Sequence, residues 1–151
     1  MQLKQIIERI LVTLLCTWAS VTYAATDDIY SGQGPAAMAI DIKPDDADNI
    51  VRASSSRVVS VAIFGSANLD VTAINPRTIR LNGIGIMLVG KSDKSLCKRP
   101  ADINGDSYDD LVCDVRTTGF RVGLGEYSVI LKAATYHAES LLGEDRIEIV
   151  R

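Results

Sequence analysis

The chain has 151 residues, 19 of them acidic and 16 basic, a net charge of −3 and a hydrophobic share of 47%. That length suits one domain around one core. A mildly acidic balance without a sustained basic block excludes the electrostatic footprint of a nucleic-acid or anionic-membrane binder, since both select positive patches.

The first segment differs from the rest. Lys4 and Arg9 give a positive start, and Ile10 to Val21 is apolar apart from small hydroxyl residues, which is the layout of a signal peptide. Thr22 and Ala24 are the small residues three and one positions before a cut, so residues 1–24 are expected to be removed, with Ala25 as the alternative last residue of the signal. The apolar run is about a dozen residues, short of the roughly 20 that a bilayer-spanning helix needs. Leu14 and Leu15 precede Cys16 where lipid attachment wants small residues, so a lipid anchor is disfavoured. Cleavage takes two of the 16 basic residues (Lys4 and Arg9) and one of the 19 acidic ones (Glu8), which moves the net charge from −3 to about −4. It also removes Cys16 and Trp18. Cys97 and Cys113 remain as an even pair in an exported, extracellular or periplasmic chain, where oxidation is permitted, and are expected to form one disulfide.

Residues 25–36 are small, polar and Gly/Pro-bearing without a period, and read as a flexible leader to a domain at 37–151. Met38 to Lys43 alternates and stops at Pro44, and Val58 to Phe64 is a β-branched run ending at Gly65. Both predict strands. Thr78 to Leu81, the turn dipeptide Asn82-Gly83 and the apolar run Ile84 to Val89 predict a hairpin. Further strands are expected at Leu111 to Val115, Tyr127 to Ala133 and Ile147 to Val150, and no stretch carries a sustained helical stripe. Short strands with turn signals between them predict an all-β fold, a single antiparallel β-sandwich, immunoglobulin-like or similar.

The stretch that carries chemistry is Asp102-Ile103-Asn104-Gly105-Asp106-Ser107-Tyr108-Asp109-Asp110. Calcium takes six to eight hard oxygen ligands, and a wound loop supplies them from side chains at positions 1, 3, 5 and 9 and a backbone carbonyl at position 7. Those positions hold Asp102, Asn104, Asp106, Asp110 and the carbonyl of Tyr108. Asp109 is expected to point outward. Two departures stand out: Ser107 replaces the glycine of the sharp turn, and Cys113 stands where an EF-hand has its bidentate glutamate. The plain alternative is a polar surface turn. Cys97 and Cys113 bracket the loop, and holding Asp102, Asp106, Asp109 and Asp110 together favours a cation.

This loop resembles the calcium loops of dockerins, thrombospondin type 3 repeats and FG-GAP or VCBS repeats, all built on D-x-[DN]-x-D-G-x-x-D. More broadly, residues 39–150 resemble a module that recurs in exported bacterial proteins. The elements that carry the likeness are Ile42-Lys43-Pro44, Val61-Ala62-Ile63-Phe64-Gly65, Ile74-Asn75-Pro76, Cys97, the run from Asp102 to Val112, Cys113, and a closing Gly143-x-Asp145-x-Ile147. The resemblance implies a β-sandwich and calcium held by Asp102, Asn104, Asp106 and Asp110; it implies no enzymatic activity.

Other patterns carry less. Gly85 to Ser92 fits G-x4-G-K-[ST], but its middle residues Ile86 to Val89 are apolar strand formers and no helical period follows Lys91, so it reads as a core strand ending in a turn. His137 is the sole histidine, which argues against a zinc site of His and Cys and leaves a Ser-His-Asp hydrolase without a G-x-S-x-G elbow. Lys91, Lys94, Lys98 and Arg99 read as a solvated face, with a clamp on the acidic loop or on an anionic partner as the alternative. After cleavage, without Trp18, the remaining aromatics are Tyr30, Phe64, Tyr108, Phe120, Tyr127 and Tyr136, which argues against a sugar platform but leaves one edge contact through Tyr108 or Tyr136. The expected function is therefore a secreted calcium-binding structural or interaction module with no catalytic residues. The alternatives are an extracellular glycan- or protein-binding module that uses the loop as part of its recognition face, and a small secreted hydrolase.

Overall fold

A computed structural model describes residues 34–52, 58–90, 94–119 and 123–151. The expected signal peptide at 1–24, most of the leader, and Lys91 and Ser92 lie outside the described residues. No described helix is long and apolar enough to cross a membrane.

The fold is all-β, with two sheets facing each other across the core. Its backbone is a long hairpin of β8 (Gly125–Ala134) and β9 (Ser140–Val150), in register from Gly125 opposite Ile149 to Ala134 opposite Ser140. Side chains alternate: Val129, Leu131 and Ala133 of β8 and Leu141, Ile147 and Ile149 of β9 are buried, while Ser128, Lys132, Glu144 and Glu148 face outward. This is the period-2 signature of a sheet with one face on a core. The expected last strand was Ile147 to Val150, yet β9 starts at Ser140. Gly143 and Asp145 occupy inward positions there, so the hydrophobic alternation is interrupted although the pleat is not.

The hairpin β5 (Arg80–Leu81) and β6 (Ile84–Gly85) joins this sheet, with Leu81 opposite Leu131. Asn82 and Gly83 both take positive φ, 46° and 83°, as a type I′ turn requires. The amide of Asn82 donates to the Ile130 carbonyl and its Oδ1 accepts from the Ile130 amide, both at 2.8 Å. The turn is thereby fastened to β8. The apolar run after it does not continue as one strand to Val89: Ile86 bridges to Val115 and the Met87 amide donates to Asp114 O at 2.7 Å. The chain thus passes from one sheet to the other at this corner, a device common where packed sheets meet.

The second sheet is β2 (Ile40–Ile42), β4 (Val58–Ile63) and β7 (Leu111–Arg116), antiparallel, with β4 central. Val59, Val61 and Ile63 of β4 and Cys113 and Val115 of β7 are buried against Ile79, Leu81, Val129 and Leu131 in one core.

The two sheets are antiparallel-rich, as expected of the sandwich, with two parallel pairings at one edge. β1 (Ala36–Ala37) and β3 (Ile50–Arg52) both run parallel to β9 along its outer edge. The segment between them crosses to the other sheet as β2 and returns, so two pieces travelling in the same direction share one edge. The crossing passes over Gly143, where a Cβ would meet Ile40 Cγ2 at 2.6 Å and Met38 O at 3.0 Å. Ala36, expected in the leader, is already strand. In the gap between β1 and β3, Asp145 Oδ2 accepts from the Ile42 amide at 2.8 Å and from Asn49 Nδ2 at 3.1 Å.

Asp41 lies beside this gap. Burial, and then the charge of Asp145, push its carboxyl above the ordinary 3.8. A carboxyl raised in the folded state destabilises the fold once it ionises, so the cost is present above its raised pKa and vanishes below about 3.8. Asp41→Asn should therefore stabilise the protein at neutral pH, by less than about 1 kcal/mol because much of the group is hydrated. Urea melts of the two proteins should converge in acid; a gain that persisted at low pH would contradict the assignment.

Candidate functional site

Residues 97–113 leave the end of the small sheet as a stem with the acidic turn at its tip. Cys97 and Cys113 form a disulfide across sixteen positions of sequence. Beyond it the Lys98 amide donates to Val112 O at 2.8 Å, and Ala101 and Asp110 exchange backbone hydrogen bonds at 3.2 and 3.0 Å. The expected disulfide is therefore the base of the stem, and Cys113 is committed to it rather than to the loop.

At the tip the backbone winds around Asp102. Its Oδ1 accepts from the amides of Gly105 at 2.7 Å and Asp106 at 3.2 Å, and its Oδ2 from the Ser107 amide at 2.9 Å. These amides, Ser107 first and then Gly105, hold the Asp102 carboxyl below its usual range. The winding needs positive φ at Gly105 (82°) and at Ser107 (74°). Ser107, the position where glycine was the expected residue, adopts the left-handed backbone nonetheless. Asn104 and Asp106 meet through Asn104 Nδ2 donating to Asp106 Oδ2 at 3.0 Å, and the Asp106 amide donates to Asn104 Oδ1 at 3.0 Å. The Tyr108 amide donates to Asp106 Oδ1 at 2.9 Å.

The structure brings Asp102, Asn104 and Asp106 together on the exposed tip and gives Asp110 a different setting. Asp110 is 1% exposed. Its Oδ1 accepts from the Gly65 amide at 2.9 Å and its Oδ2 from the Ile103 amide at 3.0 Å. One oxygen is spent on the loop itself and the other on the end of β4, forty-five residues away in sequence. Gly65 is the residue that sequence reasoning passed over: a Cβ there would sit 2.2 Å from Asp109 O. The only signal was its place at the end of the Val61-Ala62-Ile63-Phe64-Gly65 run. Asp109 itself is exposed, as expected.

Among the described residues no three His, Cys, Asp or Glu side chains converge as a ready metal-binding group. His137 is exposed in the β8–β9 turn, and no described carboxylate or hydroxyl is hydrogen-bonded to its ring. Within the Gly85 to Ser92 pattern, Gly85 lies in β6 and Ile86 in a bridge to β7, so its described part is sheet and corner. No protein-family model matches the chain, and neither the curated proteins nor the solved structures give a significant match.

Proposed function

We propose that the tip of this stem is a calcium loop and that the protein is a structural or interaction module stabilised by the ion. The side chains of Asp102, Asn104, Asp106 and Asp110 and the carbonyl of Tyr108 would hold it. The observation that carries the reading is the winding of residues 102–107 around the Asp102 carboxylate, with positive φ at Gly105 and Ser107. That winding gathers hard oxygen donors at alternate positions, which is how short calcium loops are built. The donor chemistry fits a hard cation, with carboxylate, amide and carbonyl oxygens and no sulfur or imidazole. Each carboxylate oxygen of Asp110 has a second lone pair beyond the amide it accepts, so serving the fold does not bar it from sharing an ion. Export and a non-catalytic role belong to the same reading.

A ligand that binds only the folded state stabilises it by RT ln(1 + [L]/Kd), about 2.7 kcal/mol when free ion is 100 times Kd. Affinity in the range of extracellular modules, about 10⁻⁴ to 10⁻³ M, is expected. Saturating calcium should raise the melting temperature of the chelator-treated protein, and calorimetric titration should show one site. Asp106→Ala should abolish both responses without unfolding the chain, since Asp106 is exposed. No calcium response in the unaltered protein would refute the proposal and leave a disulfide-based polar turn.

A further inference from the structure

A second feature lies on the other side of the stem. A groove of about 510 Å³ runs between the 3₁₀ turns at Val71–Ala73 and Pro76–Thr78, the segment 95–100, and Tyr136 at the end of β8. That volume lies within the range of small-molecule sites. Its floor is apolar, made by the buried Val71, Ile74 and Leu111. The Tyr136 side chain stands on its wall with 65% of its surface exposed, a large value for a residue held by its backbone, whose amide donates to Ala73 O at 2.9 Å. Lys98 and Arg99 line the same groove and are exposed.

Two observations define the ligand. First, neither the Lys98 ammonium nor the Arg99 guanidinium makes a hydrogen bond or ion pair among the described residues, in a chain whose net charge is negative. Asp45 and Asp110 border a smaller cleft with these two cations but lie beyond ion-pair distance of both. Two adjacent cations left unpaired on an acidic protein are complementary to an anion, and arginine favours a carboxylate through its planar fork. Second, an exposed tyrosine face beside an apolar floor suits the C–H face of a sugar ring.

We propose that this groove binds an anionic oligosaccharide, with a uronate carboxylate on Lys98 and Arg99 and a sugar ring stacked on Tyr136. The site is separate from the acidic tip and does not depend on calcium there.

The test is titration of the purified protein with tetragalacturonate in the presence of chelator, alongside a neutral tetrasaccharide and a tetraglutamate peptide. Saturable binding of tetragalacturonate with Kd of about 1 mM or tighter is expected at low salt, weakening as salt rises because exposed charges are screened. The double variant Lys98→Gln, Arg99→Gln should weaken it about tenfold or more, and Tyr136→Ala by about fivefold or more. All three side chains are exposed, so thermal melts should match the unaltered protein. No binding, or binding untouched by these substitutions, would overturn the proposal. Equal affinity for the neutral sugar would overturn the anionic assignment, and equal affinity for tetraglutamate the sugar assignment. Binding that appeared only with calcium and vanished in Asp106→Ala would move the ligand to the acidic tip.

Discussion

Replacing Asp110 with Ala should cost about 3 to 5 kcal/mol, because it strands two amide donors that charge-assisted acceptors now satisfy, at about 1.5–3 kcal/mol each. The amides are those of Gly65 and Ile103, and the carboxylate between them is 1% exposed. The melting temperature should fall by roughly 10 to 20 °C for a domain of this size. Asp110→Asn should fall between, since its single carbonyl oxygen can serve one amide while its NH₂ opposes the other. Gly65→Ala attacks the same junction from the other side, as its new methyl group would lie 2.2 Å from Asp109 O. Loop and β4 must then separate, and a comparable loss is expected. Urea melts of the three variants, with and without calcium, check this. A cost below about 1 kcal/mol for Asp110→Ala would mean that the carboxylate does not join the stem to the sheet. For the same reason Asp106 is the cleaner probe of metal binding, as loss of Asp110 confounds ion and fold.

Removing the disulfide should be the next largest effect. Cys97 and Cys113 are sixteen positions apart, and closing a ring of that size restricts the unfolded chain by about 3 kcal/mol. Both cysteines are also buried in the core, Cys113 completely. The pair Cys97→Ala, Cys113→Ala should therefore lose about 3 kcal/mol or slightly more through the shortened side chains. Reduction of the unaltered protein should give a similar shift in midpoint. The stem is the part expected to loosen first, so amide exchange should quicken at Lys98, Ala101 and Asp110 before it does in β8. If both forms melted alike, the bridge would be redundant with the backbone bonds above it.

What was legible in the sequence followed from local rules. Val58 to Phe64 is a run rich in β-branched residues that stops at Gly65, so β4 could be read directly. Asn82-Gly83 has a backbone preference strong enough to fix a hairpin by itself, and the structure adds only that the turn is tied to Ile130. The cysteine pairing needed no geometry once Cys16 was assigned to the expected signal peptide. The rest depended on partners far away in sequence. β3 is three residues long and exists because β9 offers an edge. β9 looks broken at Gly143 and Asp145, since a glycine that admits a crossing chain and an aspartate that satisfies a distant amide leave no hydrophobic mark. At the candidate site, alternate oxygens announced Asp102, Asn104 and Asp106. They could not separate Asp110, whose spacing is that of a ligand and whose surroundings are those of a core residue. Tyr136 as a sugar contact and Lys98 and Arg99 as a clamp on an anion were each readable as alternatives, but the groove that joins them was not, because its walls come from separate stretches of chain.

The path of the chain along β9 also bears on how the protein folds. β9 is the last strand, yet it lies between β8 and the first strands of the domain, and the bond from the Ile42 amide to Asp145 spans 103 residues. A local hairpin of β8 and β9 can form early, but it gains β1, β2 and β3 only when nearly the whole domain has been looped back onto it. Folding rates fall as contacts become less local, and all-β domains of this kind fold in about milliseconds to seconds. Until that closure the outer edge of β9 stands open with its backbone groups unpaired, and such an edge is a template for pairing with another chain. Glu144, Asp145 and Arg146 place charged side chains along that edge strand, which discourages such pairing.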